Sequence, residues 1–410
     1  MRRLKKTLWT KNFTLVTAAS ALGAVGGIAG GFALSFLVFD ETGSTLASAL
    51  ILAIQLVPFF VLPLFLAPVM DRLPRKPFLV AGDLIDGVLY ALMGLYLLKF
   101  EFSYAAYLGY SLLLACLESF DELAFQSIYP KLIPDGMEQQ GYAVSTTLYP
   151  ILRVLMLPLA GVLLDAVGAA WILIGQGGLS LLAALIESNI DITEHRREGG
   201  EKLFTLRQWR ADIKEAAEYL KNERGVTGIF SYMAVTNGVA SGYSSILVAF
   251  FRTFPGFTAA MYSLFSVFEF AGRTLGGAVQ YKLKIAKEKK FGFTFLVYQI
   301  YETMDMCLLW LPYPLMLANR ALVGFLGANS ATMRQAAMQT YIPEELRARL
   351  NAFQNMLITA ASGVFTLAIG ALGEVLDYRL CVTICGATAF IAAWLLVWRR
   401  RADVRKIFEK

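Results

Sequence analysis

Apolar runs long enough to cross a bilayer recur along this chain, at roughly residues 12–39, 45–70, 77–99, 103–128, 142–168 and 170–190. After a polar stretch they resume at roughly 225–251, 257–281, 291–311, 313–340, 350–376 and 379–398. A helix of about 20 apolar residues spans the hydrocarbon core, so the pattern predicts twelve transmembrane helices in two sets of six. The knots between runs are short and polar. The densest runs from Ala67 to Lys76, where Asp71, Arg72, Arg75 and Lys76 sit among Pro68 and Pro74. Charge this dense cannot lie in hydrocarbon, which makes the knot a hairpin at a membrane face.

Basic residues then orient the helices. With both termini on the cytoplasmic side, the outward connections carry only Lys99, Arg252 and Arg379, while thirty of the 37 Lys/Arg fall on the opposite side and Arg153, Arg273, Arg320 and Arg334 lie within runs. Positive residues stay in the cytoplasm, so both ends are expected there, in a multi-pass inner (plasma) membrane protein. Between the sets, Leu206, Trp209, Ile213, Ala216, Ala217 and Leu220 recur at helical spacing among Arg207, Arg210, Lys214 and Lys221. This predicts an amphipathic helix lying along the inner leaflet. The expected division is a six-helix bundle over 1–190, a cytoplasmic linker over 191–224, a second bundle over 225–399 and a basic tail over 400–410.

The two sets are related to each other. Ile133-Pro134-Asp135 and Ile342-Pro343-Glu344 stand 209 residues apart, and the same offset aligns Ala143 with Ala352, Gly161 with Gly370 and Asp165 with Glu374. A single offset that joins several separate features argues for a duplicated six-helix unit.

Composition agrees with a membrane protein: 57% of the 410 residues are hydrophobic and 17% charged. The net charge of +6 follows from the cytoplasmic loops, and no nucleic-acid partner is implied. Cys116, Cys307, Cys381 and Cys385 lie in apolar runs without C-x-x-C spacing, so they read as small core residues. The single histidine, His195, lies in the charged linker, which leaves carboxylates for any proton chemistry and provides no metal site. The absence of a G-x-x-x-x-G-K-[ST] run argues against nucleotide hydrolysis in this chain. No cofactor is expected beyond a proton gradient.

An ionisable residue inside a bundle costs about 2.5–3.5 kcal/mol on insertion scales, so each is a candidate for function. Glu118, Asp121 and Glu122 fall at i, i+3 and i+4 of the fourth run, on one helical face. Three carboxylates so close cannot comfortably all ionise, which suits proton coupling or a cationic substrate. A rise of about 1.5 Å per residue puts Arg153 at the depth of Glu118, so a pair with Glu118 or Asp121 is expected. Glu269 and Arg273 form an i, i+4 structural pair, and Glu302 or Asp305 is expected to neutralise Arg273. Asp83 is expected to partner the hairpin arginines. The glycines from Gly23 to Gly31 read as a packing stripe.

The hairpin resembles the G-x-x-x-D-R-x-G-R-[RK] loop of the major facilitator superfamily, with Asp71, Arg72, Arg75 and Lys76 matching and Ala67 and Pro74 replacing the glycines. Asp40-Glu41-Thr42-Gly43-Ser44, Ala81-Gly82-Asp83 and Tyr341-Ile342-Pro343-Glu344 extend the likeness toward the macrolide-efflux-like branch of drug:proton antiporters. Leu157-Pro158-Leu159-Ala160-Gly161 keeps only part of that branch's helix 5 element. The resemblance implies an all-α polytopic membrane protein of two pseudo-symmetric six-helix bundles, not an enzyme. It implies proton-coupled efflux of a small amphipathic compound by alternating access; the intramembrane charges themselves, Glu118, Asp121, Glu122, Arg153, Glu302 and Asp305, are the residues expected to handle substrate and protons. Asp71, Arg72, Arg75, Lys76 and Asp83 would form a cytoplasmic gate, Asp71 facing the start of helix 11 near Asn351. The expected partners are a small molecule, protons and membrane lipids, with the protein a monomer. A lipid or lysolipid flippase, a siderophore or metabolite transporter, and a non-transporting receptor or scaffold are the alternatives.

Overall fold

A computed structural model describes residues 7–70, 74–134, 136–192, 214–215, 217–282 and 285–409. Every regular element among them is helical. The helices before the linker are α1 (Lys11–Thr42), α2 (Thr45–Met70), α3 (Lys76–Lys99), α4 (Tyr104–Leu132), α5 (Glu138–Val167) and α6 (Ala169–Ser188). After it come α7 (Arg224–Thr253), α8 (Ala259–Lys282), α9 (Lys287–Cys307), α10 (Tyr313–Tyr341), α11 (Glu344–Gly373) and α12 (Tyr378–Ala392). A π-helical turn, Ala393–Trp398, prolongs α12, and a short α13 (Arg401–Glu409) follows. Seven of these helices (α1, α3, α5, α6, α7, α11 and α12) are long and apolar enough to cross a membrane by length and composition alone.

The chain forms two compact units. The first contains α1, α2 from Ile54 onward, α3 to α6, and Thr258–Ser263 at the start of α8. The second contains Gly43–Ala53 at the start of α2, α7, the remainder of α8, and α9 to α13.

Within the first unit α3 packs most extensively on α6, because glycines let the backbones meet. A Cβ on Gly177 would stand 2.7 Å from the Gly87 carbonyl oxygen, and one on Gly94 would stand 2.6 Å from that of Ala170. The α1 glycines divide into two kinds. Gly26 and Gly30 face Gln176 of α6, while Gly23, Gly27 and Gly31 have open space where a Cβ would point. At one end of the unit, Phe13, Leu79, Ile128, Tyr129 and Ile190 close an apolar core, and Lys11 pairs with Asp191 at 2.5 Å.

The second unit packs α7 on α11 and α9 on α12. Its tail helix α13 is part of the fold, since Val404, Ile407 and Phe408 are buried in a core with Phe230, Phe291 and Val397. Of the expected amphipathic linker helix, Leu206, Trp209, Ile213 and Ala216 lie outside the described residues. Its described end docks on protein, which differs from the expected position on lipid. Leu220 is buried in the same core, Glu215 pairs with Arg349 at 2.5 Å, and Tyr341 donates a hydrogen bond to Glu223 at 3.0 Å. Cys381 and Cys385 are buried and Cys307 is exposed, so the reading of all four cysteines as core holds for only part of the set.

The duplicated residues do equivalent work. In the first unit Gly161 of α5 faces Ala259 and Ala260, and Asp165 accepts the Ala260 amide at 3.2 Å, at the N-terminus of α8. In the second unit Gly370 of α11 faces Thr45 and Ala49, and Glu374 accepts the Leu46 amide at 2.8 Å, at the N-terminus of α2. In each case a glycine admits the incoming helix and a carboxylate meets its positive end.

Candidate functional site

A cavity of about 600 Å³ opens among α1 to α6 of the first unit. Its acidic wall is built from three helices: Asp83 of α3, Glu118, Asp121 and Glu122 of α4, and Glu187 of α6. Thr17 and Ser20 of α1 and Ser145 of α5 add hydroxyls, while Phe59, Phe125, Tyr129 and Tyr149 supply aromatic surface. None of the described lining residues is basic. The volume suits a small organic molecule, and aromatic faces beside carboxylates suit an organic cation.

Local sequence explains why the carboxylates converge. The i, i+3, i+4 spacing turns Glu118, Asp121 and Glu122 to one side of α4. Gly82 then lets α4 approach α3 closely, since a Cβ there would stand 3.0 Å from Asp121 Oδ1. The glycine-mediated crossing of α3 and α6 brings in Glu187, which is 3% exposed. Asp121 lies within electrostatic reach of Asp83, Asp86, Glu118 and Glu122, and Glu187 within reach of Asp83 and Asp121. Glu118 accepts a 3.5 Å hydrogen bond from Tyr90, and Glu122 accepts one from Gln126 at 2.5 Å. Asp121 Oδ1 and Glu187 Oε2 are buried without a hydrogen-bond partner among the described residues.

The structure brings together Glu118, Asp121 and Glu122, as their spacing predicts, and adds Glu187 and Asp83, the latter expected instead beside the hairpin arginines. The expected pair of Arg153 with Glu118 or Asp121 does not form: Arg153 is exposed and makes no ion pair among the described residues. The rise per residue fixes a side chain's depth but not its bearing, and α5 contains Pro150 and Pro158, which remove regular helix hydrogen bonds beside it.

In the second unit the most deeply buried cation is paired with a carboxylate. Arg320, 2% exposed, pairs with Asp305 and donates to Asn319 Oδ1 at 2.8 Å. Glu302, 3% exposed, accepts the Tyr232 hydroxyl at 3.1 Å. Arg273 pairs with Glu269 of its own helix at 2.7 Å. Thus the expectation that Glu302 or Asp305 neutralises Arg273 fails, because Arg320 takes Asp305 and Glu269 already holds Arg273. Arg334 donates to the Tyr298 hydroxyl at 3.2 Å.

Of the expected gate, Asp71 and Arg72 lie outside the described residues, and with them the contact of Asp71 near Asn351. Arg75 is 9% exposed, and Lys76 donates to the Ser188 carbonyl at the end of α6 at 2.8 Å. Asp83 faces the cavity.

The sequence profile of the Major Facilitator Superfamily matches residues 14–298 and 304–409. A search of the curated proteins finds no match. Among solved structures, a bacterial homolog of the human lysosomal transporter Spinster, inward-facing and unoccupied, superposes with a TM-score of 0.65 at 14% identity, covering 97% of this chain and 94% of that one. The same homolog in its occupied form gives 0.63 at 14% identity, over 97% and 92% of the chains. The nucleoside transporter NupG gives 0.69 at 11% identity, over 95% and 99%.

Proposed function

We propose proton-coupled export of small amphipathic cations as the function of this chain, which belongs to the major facilitator superfamily. It is accordingly a multi-pass membrane transporter and not an enzyme. The observation that carries the proposal is the cavity wall of five carboxylates, with no basic residue among the described lining residues. Buried carboxylates without counter-ions hold protons until a cation replaces them, and that exchange is antiport. Asp83, Glu118, Asp121, Glu122 and Glu187 are the exchanging groups, and Phe125 and Tyr149 are the apolar contacts for the cation's body. Asp305, bound to Arg320, stands outside the exchange.

Inward-facing structures of the same fold support alternating access. The bias of Lys and Arg supports a plasma-membrane orientation with both termini in the cytoplasm. A lipid flippase fits less well, because an anionic headgroup needs a basic site and the described cavity offers none.

Proteoliposomes with an imposed pH gradient and ethidium as probe test this reading. Gradient-driven ethidium movement is expected, lost in Glu118→Gln and in Asp121→Asn; full activity in both variants would remove the coupling assignment. Fluorescent lysolipid translocation that ignores the gradient would favour the flippase.

A further inference from the structure

The acidic cavity continues into a buried polar seam that reaches the opposite end of the first unit. Beyond Glu118 stands Tyr90 of α3, its hydroxyl 3.5 Å from the Glu118 carboxylate. Tyr110 of α4 follows, with ring centroids 6.1 Å from Tyr90, and then Tyr107, another 6.1 Å on. Tyr107 and Tyr110 are three residues apart on one helix, so their hydroxyls share a face. Glu41, at the end of α1, lies within electrostatic reach of Tyr107.

Burial makes this seam unusual. Tyr107 is 0% exposed and Ser111 1%, yet the hydroxyls of Tyr107, Tyr110 and Ser111 have no hydrogen-bond partner among the described residues. A buried hydroxyl left unsatisfied is costly, and bridging water is the ordinary way such groups are satisfied. Gln176 of α6, 5% exposed and seated against Gly30, adds an amide beside Tyr90. The charged groups acting on Tyr90 and Tyr110 are Asp86 and Glu118, and the one acting on Tyr107 is Glu41. Among the described residues, no ion pair like Arg320–Asp305 of the second unit closes the seam.

We propose that protons cross this transporter wholly inside the first unit, along Tyr107, Tyr110, Tyr90 and Glu118 and then through Asp121, Asp83 and Glu187. A tyrosine hydroxyl both accepts and donates, so a proton arriving on one oxygen releases that oxygen's own proton to the next through bridging water. Each oxygen gains one O–H bond and loses another, and one proton moves along the row. The acidic cavity is then where the proton meets the cation, while the tyrosines connect that cavity to the Glu41 face. This inference rests on the proton-coupled reading above and specifies its route.

The test uses the full chain in oriented proteoliposomes, with infrared detection of carboxyl protonation after a pH jump on one side. In the unmodified protein the carboxyl signal responds to jumps from either side. Tyr110→Phe is expected to slow the response from the Glu41 side by about tenfold or more and to leave the Glu187 side unchanged. Tyr107→Phe, one turn farther along α4, should give the same one-sided loss and guards against misfolding of a single variant. Wild-type rates in both variants, or an unmodified protein that responds from one side only, would overturn the route. Ethidium that ignores the pH gradient beside an intact two-sided response would instead remove the transport reading and leave the route standing.

Discussion

Glu374 accepts a hydrogen bond from the backbone N–H of Leu46 at 2.8 Å, placing a carboxylate on the N-terminus of α2. Ser44 donates to the same oxygen at 2.7 Å and Thr45 at 3.1 Å. Partial burial pushes the Glu374 carboxyl up, but the donors from Leu46, Ser44 and Thr45 outweigh it and hold it below the ordinary glutamate range. A depressed carboxyl contributes stability above its unfolded-state pKa and loses it as pH falls through the folded-state value. Glu374→Gln should therefore cost about 1 kcal/mol at neutral pH. Thermal unfolding at neutral and acid pH checks this, because the gap between variant and parent must shrink on acidification; a constant gap would refute the electrostatic account.

That contact was half legible in the sequence. The 209-residue offset paired Asp165 with Glu374 and Gly161 with Gly370, and both pairs meet a helix N-terminus. The helix they meet was not legible, since a duplication says which residues correspond and not what they touch. The site shows the same division. Helical spacing puts Glu118, Asp121 and Glu122 on one face, and all three line one cavity. Glu187 escaped notice because it ends an apolar run, where a charge reads as interfacial; the glycine-mediated crossing of α3 and α6 is what buries it. Arg320 escaped because its partner Asp305 stands on another helix, and only packing brings them together.

The Arg320–Asp305 pair is nearly inaccessible to solvent, with side chains 3% and 9% exposed. Removing one member strands the other, which costs about 3–5 kcal/mol, whereas replacing both with apolar residues of similar volume is often neutral. Arg320→Met and Asp305→Leu are each expected to lower the unfolding temperature sharply, and the double variant to recover most of the loss. A double-mutant cycle in detergent measures the coupling; additive losses would mean that the two charges are stabilised independently.

The α1 glycines divide by contact, and so should their variants. A Cβ on Gly30 would stand 1.4 Å from Gln176 Oε1, inside a buried side chain, whereas Gly27 has nothing within 4 Å. Gly30→Ala forces the Gln176 amide to move and should lower stability relative to Gly27→Ala. Gly27→Ala should be neutral or slightly stabilising, because alanine favours helix by about 1 kcal/mol over glycine. Equal effects on thermal stability would show that both positions serve α1's own conformation and not its contact with α6.

Glu187 offers the sharpest separation of the acidic wall from the buried polar groups of the second unit. Its Oε2 is buried and has no hydrogen-bond partner among the described residues, while Glu302, equally buried, is bound by the Tyr232 hydroxyl at 3.1 Å. Removing one of the five groups that can exchange a proton for a cation weakens cation binding without opening the fold. Glu187→Gln should therefore raise the apparent Kd for ethidium about tenfold, the loss of one charge interaction of roughly 1.4 kcal/mol. Glu302→Gln keeps an oxygen for Tyr232 and lies outside the wall, so ethidium affinity should stay at the parental value. Fluorescence titration of the purified variants decides the matter. Equal weakening in both would mean that the cation is held by carboxylates of both units, and the acidic wall would lose its claim to be the sole binding surface.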